Sequence, residues 1–208
     1  VRDRLLHHII YRELYPYFEP RFIYDSYSCR MDKGTHRALD RLRSFAGQVS
    51  QNHTRTCFVL KCDVRKFFDS IDHDILYELI TRKVTDVDAL QLISAIIKSF
   101  EIDPGKGVPL GNVTSQLFAN IYLNELDQCM KHELKAHHYI RYCDDFVILD
   151  TERSRLEAFI PKVQAFLQDT LRLELHPNKV SIRKLSHGID FLGYVVLPHY
   201  RVLRTKTK

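Results

Sequence analysis

The run HYIRYCDDFVILD, His138 to Asp150, sets the hardest condition that this chain must meet. Two carboxylates, Asp144 and Asp145, stand side by side in an apolar, β-prone stretch. Adjacent anions repel, and burying an unpaired charge is costly. The pattern predicts strands over 139–143 and 146–149 with a doubly acidic turn between them. Such a turn is either simply exposed, Asp being a common turn residue, or it holds a cation.

The rest of the chain supplies a setting for that turn. RDRLLHHIIYRELYPYF has apolar residues at helical spacing and is expected to end near Pro16. DKGTHRALDRLRSFAGQV reads as a second helix, with Arg37, Arg41 and Arg43 expected near one another on a face. TCFVLKCD reads as a strand. Segments 74–82 and 86–100 look helical, with Leu90, Ile93 and Ile97 spaced for a buried stripe. DPGKGVPLGN, with three glycines and two prolines, is a loop. A long amphipathic helix is expected from Thr114 to Lys135, and another over 152–171 with a break at Pro161. KVSIRK and IDFLGYVVL read as late strands. The order strand, helices, strand–turn–strand, helix, strand predicts an α+β fold. Its core would be a ferredoxin-like β-α-β-β-α-β sheet with helices on one face.

Composition excludes several classes. No apolar run approaches the roughly 20 residues that span a bilayer, so no membrane association is expected. The cysteines (29, 57, 62, 129 and 143) form no CxxC pair. That argues against a zinc knuckle or a secreted disulfide framework, and for a reducing compartment. Charge is uneven: residues 1–62 carry 11 basic and 6 acidic groups, 63–171 carry 12 and 18, and 172–208 carry 8 and 2. An acidic middle between basic ends suits a metal site beside a polyanion track, and equally an ordinary solvated surface. HELKAH spaces its histidines by five, not the four of HExxH, and no phosphate-loop GxxxxGK[ST] is present.

Asp63 ends an apolar strand. With Asp144 and Asp145 in reach it would bring three anionic oxygen ligands to one place, a set suited to magnesium or manganese. Two such ions about 4 Å apart activate an attacking hydroxyl and hold leaving oxygens. Neutralisation by cations would make the acidic turn tolerable.

The succession KCDVRKFFDSID, GVPLGNVTSQLFANIYLNELD, RYCDDFVIL, LRLELHPNKVSI and IDFLGY resembles, in order and spacing, the palm motifs of reverse transcriptases. Upstream, VRDRLLHHII and FEPRFIYDSYSCRMDKGTHRAL resemble the fingers-side motifs of the bacterial group II intron-like branch. The resemblance implies an RNA-directed DNA polymerase with a right-hand palm. It makes residues 1–55 partial, helical fingers and residues 56–208 a palm with the primer-grip region. It gives Asp63, Asp144 and Asp145 the role of metal ligands, with the Val64 carbonyl as a further one and Mg2+ or Mn2+ as the ion. Phe68 matches the bulky gate against a ribose 2′-hydroxyl. Gly111, beside Leu110, lies in the loop under the incoming nucleotide, and Gln116 and Asn120 shape that pocket. Lys179 matches the basic residue that protonates the leaving pyrophosphate. Phe191, Leu192, Gly193 and Tyr194 match the primer grip. Arg37, Arg41, Arg43 and the tail cations Arg201, Arg204, Lys206 and Lys208 are candidates for backbone contacts.

An aliphatic Leu110 before Gly111, with Ser115–Gln116 after it, resembles the enzymes of diversity-generating retroelements, as does RYCDDF. The implied partners are an RNA template, a DNA or RNA primer, deoxynucleotides and an accessory protein of the retroelement, in a bacterial cytoplasm. The chain starts inside the first fingers motif and stops just after FLGY, so a fingers–palm portion without a thumb is expected. A group II intron maturase, a non-catalytic RNA-binding module with the same sheet order and a nucleotidyl cyclase are the competing readings. The acidic triad weighs against the second, and FLGY and SYSCR weigh against the third.

Overall fold

A computed structural model describes residues 2–205. The chain begins with two helices, α1 (Arg2–Phe18) and α2 (Thr35–Val49). Strand β1 (Phe58–Asp63) and the helices α3 (Phe67–Ser70), α4 (His73–Thr81), α5 (Val87–Lys98) and α6 (Val113–Gln128) follow. Next come β2 (Tyr139–Tyr142), β3 (Asp145–Asp150), α7 (Arg153–Leu171) and β4 (Ser181–Lys184). Three short strands close the described chain: β5 (Ile189–Phe191), β6 (Tyr194–Val196) and β7 (Arg201–Leu203). Among the described residues no helix is long and apolar enough to cross a membrane.

β1 to β4 form one antiparallel sheet in the order β2-β3-β1-β4, the expected β-α-β-β-α-β arrangement. Side chains alternate cleanly between its faces, as the two-residue period of a strand requires. Leu60, Cys62, Phe146 and Ile148 point into a core shared with α1, α4, α5, α6 and α7. Val59, Ile140, Val147 and Leu149 point to the other face, where α2 and the β5-β6-β7 sheet cover them. Helices thus stack on one face as expected, and the opposite face is partly roofed as well. The expected boundary near residue 55 is not a break in packing, because Ile10, Leu14 and Phe18 of α1 and Leu39, Leu42 and Phe45 of α2 belong to these same two cores.

Local chemistry accounts for the helix ends. The Asp72 carboxylate caps α4 by accepting from the N–H groups of Asp74 (3.1 Å) and Ile75 (3.2 Å). Asp86 caps α5 through Ala89 N–H at 2.7 Å. α1 ends at Phe18, two residues after Pro16, as expected, whereas the break expected at Pro161 does not occur, α7 running through it to Leu171. Each proline, and the residue four before it (Arg12 and Glu157), is exposed, so water can meet the carbonyl that loses its N–H partner. The helix expected to reach Lys135 instead ends in a π-helical turn, Cys129–Glu133.

IDFLGYVVL, read as one strand, folds as a hairpin. Leu192 (φ 52°) and Gly193 (φ 81°) are both left-handed, the backbone of a tight two-residue β-turn. Gly193 has open space where a Cβ would sit, whereas at Gly188 (φ 78°) a Cβ would lie 2.7 Å from Val195 Cγ1. Gly193→Ala should cost about 1–2 kcal/mol, the usual price of a left-handed residue with a Cβ. Gly188→Ala should cost more. Urea unfolding of both variants would check this, and equal losses would contradict the packing at Gly188.

Candidate active site

The site grows from one register. β1 and β3 pair so that Asp63 lies opposite Asp145, and cross-strand partners share a sheet face. The Asp144 carbonyl accepts from Val64 N–H at 3.3 Å, which ties the turn to the end of β1. The turn itself is tight, with Cys143 left-handed at φ 55°. The backbone therefore brings Asp63, Val64, Asp144 and Asp145 together, as expected from sequence.

Two of the three carboxylates face lysines. Lys179 Nζ donates to both oxygens of Asp63, at 3.0 and 2.9 Å. Lys61 Nζ lies 3.5 Å from Asp145 Oδ1 and donates to the Asp190 carbonyl at 3.0 Å. Asp145 Oδ1 is buried and has no hydrogen-bond partner, since the Lys61 contact is an ion pair without hydrogen-bond geometry. Among the described residues no three His, Cys, Asp or Glu side chains close on one point. The expected three-carboxylate cage is thus present in the backbone but not in the side chains. The reason is electrostatic: three anions at two strand ends repel, and Asp63 and Asp145 each turn to a lysine.

Burial pushes the Asp144 and Asp145 carboxyls above the usual range. Asp63 raises both further, while Lys179 opposes the shift at Asp144 and Lys61 opposes it at Asp145. The hydrogen bond to Asp63 raises the Lys179 ammonium, so it stays charged. Hard oxygen donors, two of them strained by burial and one oxygen orphaned, fit a divalent cation.

Phe68 sits in α3 after left-handed Lys66 (φ 44°), half-buried and edge-on to Phe67 at 5.2 Å. Its carbonyl accepts from Val108 N–H at 2.9 Å, and the Ile71 carbonyl accepts from Gly107 N–H at 2.8 Å. These two bonds dock the glycine-rich loop beside Phe68. Further along that loop Leu110 is 74% exposed and Gly111 takes φ 98°. Gln116 lies in the first turn of α6 and is half-buried. Asn120 is only 3% exposed, and its amide is spent inside the protein: Nδ2 donates to the Ser28 carbonyl at 2.9 Å, and Oδ1 accepts from Arg141 at 3.3 Å.

Phe191 is fully buried, and Leu192, Gly193 and Tyr194 form the hairpin tip. The three arginines of α2 do not form one patch. Residues 41 and 43 are about 200° apart around a helix. Arg41 Nε donates to buried Asp25 at 2.7 Å, Arg37 to the Asp32 carbonyl, and Arg43 to the His199 carbonyl at 3.3 Å. Arg201 and Arg204 bond Asp40 and Asp190, both at 2.8 Å, while Lys206 and Lys208 lie outside the described residues.

Sequence reasoning passed over Lys61, Asp127 and Arg141. A signal existed for Arg141, a charge in an apolar strand that must find a buried partner. Arg141 and Asp127 are both 0% exposed and pair at 2.6 Å.

The family described as reverse transcriptase (RNA-dependent DNA polymerase) matches residues 1–196, and the chain belongs to it. It is 28% identical over 233 aligned residues to Protein YkfC of Escherichia coli strain K12, covering 93% of this chain and 60% of that protein. It is 24% identical over 274 aligned residues to the group II intron-encoded protein LtrA of Lactococcus lactis subsp. cremoris, covering 99% of this chain and 44% of that one. The chain therefore spans between two fifths and two thirds of these relatives. Telomerase from Candida tropicalis, solved in complex with a fragment of telomeric RNA, superposes with a TM-score of 0.71 at 14% identity, over 97% of this chain and 37% of that chain. At that identity the likeness is one of fold.

The raised carboxyls have a measurable consequence. A carboxyl whose pKa is higher in the folded chain than in the unfolded one weakens the fold once it ionises. That cost is absent below the ordinary carboxylate pKa of about 4 and complete above the raised folded value. Without divalent cations, Asp145→Asn should raise Tm at pH 7, by roughly 2–4 °C per kcal/mol of repulsion removed. The gain should fade as pH drops towards about 4. Calorimetry of both forms across that range tests it, and an unchanged or lower Tm at pH 7 would refute it.

Proposed function

We propose that this chain is the fingers and palm of an RNA-directed DNA polymerase of the group II intron-like branch, with residues 1–55 on the fingers side and 56–208 forming the palm and primer-grip region. The observation that carries the reading is the register of Asp63 against Asp145, with Asp144 bonded to Val64 at the end of the same strand pair. Family membership over residues 1–196 supports it.

In this reading Asp63, Asp144, Asp145 and the Val64 carbonyl hold Mg2+ or Mn2+, and the bound cations supply Lewis acidity and charge neutralisation for nucleotidyl transfer from a deoxynucleotide to a primer 3′-hydroxyl. Phe68 packs against the sugar and leaves no room for a 2′-hydroxyl. Leu110 and Gly111 pass beneath the incoming base pair, with Gln116 behind them. Lys179 exchanges its bond with Asp63 for the leaving pyrophosphate and gives it a proton. The hairpin tip at Phe191–Tyr194 steers the primer end, tied to the acidic site by Lys61, which reaches both Asp145 and the Asp190 carbonyl. The substrates are an RNA template, a DNA or RNA primer and deoxynucleotides, and an accessory protein of the retroelement completes the partners.

Within the branch, we favour a diversity-generating retroelement. Leu110 is exposed beside Gly111, where an aliphatic chain fills space but offers no hydrogen bond to correct geometry. The similarity to LtrA favours an intron maturase as the second reading.

Two assays test these readings. Asp144→Ala should cut primer extension on RNA by several orders of magnitude while leaving template–primer affinity nearly unchanged, because it removes a ligand and not a backbone contact. A variant that extends near the wild-type rate would overturn the polymerase assignment. Leu110→Gln should lower misincorporation opposite template adenine more than opposite other bases. A restored hydrogen bond worth about 1 kcal/mol changes the error rate close to tenfold. Sequencing cDNA from both enzymes on one template reads the outcome, and an unchanged spectrum would favour the maturase.

A further inference from the structure

The strand leading into the acidic turn contains a guanidinium with no solvent contact. Arg141 is 0% exposed, on β2, two residues before Cys143. Its Nε and Nη2 donate to the two oxygens of Asp127 at 2.8 and 2.6 Å, a fork-on-fork pair. Tyr139, two residues earlier on the same strand face, donates its hydroxyl to Asp127 at 2.7 Å. Asp127 is also 0% exposed, so the pair lies wholly within the protein.

The remaining nitrogen looks elsewhere. Arg141 Nη1 donates to the carbonyl of Cys143 at 3.1 Å and to Asn120 Oδ1 at 3.3 Å. The Cys143 carbonyl belongs to the peptide that joins Cys143 to Asp144. Cys143 is left-handed, a conformation that a residue with a Cβ adopts at a cost. Fixing that carbonyl fixes the plane of the peptide, and so the direction in which Asp144 leaves the turn. Asn120 and Asp127 are seven residues apart on α6, hence on one helix face. Asn120 in turn donates to the Ser28 carbonyl at 2.9 Å, in the loop before α2. One guanidinium thereby joins helix, turn and loop.

We propose that Arg141 is a positioning residue for the acidic site: by holding the Cys143 carbonyl while anchored on Asp127, it sets the angle at which Asp144 is presented to a divalent cation. This rests on the polymerase reading for the reaction, but the geometry is that of this chain alone. Lysine cannot replace it, because an ammonium carries charge without the planar fork that reaches Asp127 and Cys143 together.

Two variants of the full chain separate positioning from mere support. Arg141→Lys keeps the charge and loses the fork. The triple variant Tyr139→Phe, Arg141→Met, Asp127→Leu removes the ion pair and the tyrosine hydroxyl while leaving Asn120 in place, and apolar replacement of a buried ion pair is often neutral for folding. Four readouts are taken on each: a thermal melt, the Mn2+ dissociation constant from the electron paramagnetic resonance signal of free Mn2+, single-nucleotide extension on an RNA template, and template–primer affinity. The triple variant should melt near wild type. Both variants should bind Mn2+ more weakly and extend more slowly, each by about 10- to 100-fold, the range for groups that orient metal ligands. Template–primer affinity should stay within about threefold, since no phosphate contact changes. A folded triple variant with wild-type Mn2+ affinity and extension overturns the positioning role. Unfolding of both variants overturns it in favour of a purely structural one. Wild-type chain that neither binds Mn2+ nor extends a primer overturns the polymerase reading and this role with it.

Discussion

Everything at the acidic end of the sheet depends on the register between β1 and β3. A slip of one residue would send every side chain of the slipped strand to the opposite face. Asp145 would then leave Asp63, and Val147 and Leu149 would be driven into the helical core. The register is held from both sides, because Leu60 and Cys62 face one core and Val59 the other. Two well-filled cores are therefore what keeps two carboxylates adjacent at a strand end, where their own interaction would part them.

The site stores an electrostatic conflict and moderates it with lysines. Lys179 is exposed and flexible, so its bond to Asp63 is screened and readily exchanged. Lys61 is more enclosed and is fixed at its tip by the Asp190 carbonyl. The two lysines thus suit different tasks. One can leave when a stronger cation or an anionic ligand arrives, and the other ties the β5-β6 hairpin to the four-stranded sheet.

Much of this was legible in the sequence. Runs of apolar, β-prone residues located β1, β2 and β3, and helical spacing located the long helices. Strand ends bearing Asp63 and the Asp144–Asp145 turn were enough to place the three backbone positions together, though not to foresee that their side chains turn apart. The late hairpin was not legible, because IDFLGYVVL is β-prone throughout and Leu192 is an unusual residue for a left-handed turn position. The arginines of α2 were misplaced by treating sequence proximity as a shared face, when Arg43 points away from Arg41 and reaches His199. The break expected at Pro161 failed because exposure removes most of the cost of a missing backbone bond. Asn120 illustrates a different limit. Its position on α6 was clear, but only the fold reveals that Ser28 and Arg141 claim both ends of its amide.

The outer strands of the four-stranded sheet end differently. On the β2 side, residues 25–27 lie alongside Arg141, giving and taking backbone hydrogen bonds that finish the row. On the other side β4 is four residues long, and its last two, Arg183 and Lys184, are exposed cations. A bare strand edge invites pairing with another chain, and positive charge on a short edge deters it. The same two side chains would repel a second copy arriving edge to edge, so the sheet carries its own protection against self-assembly into fibrils.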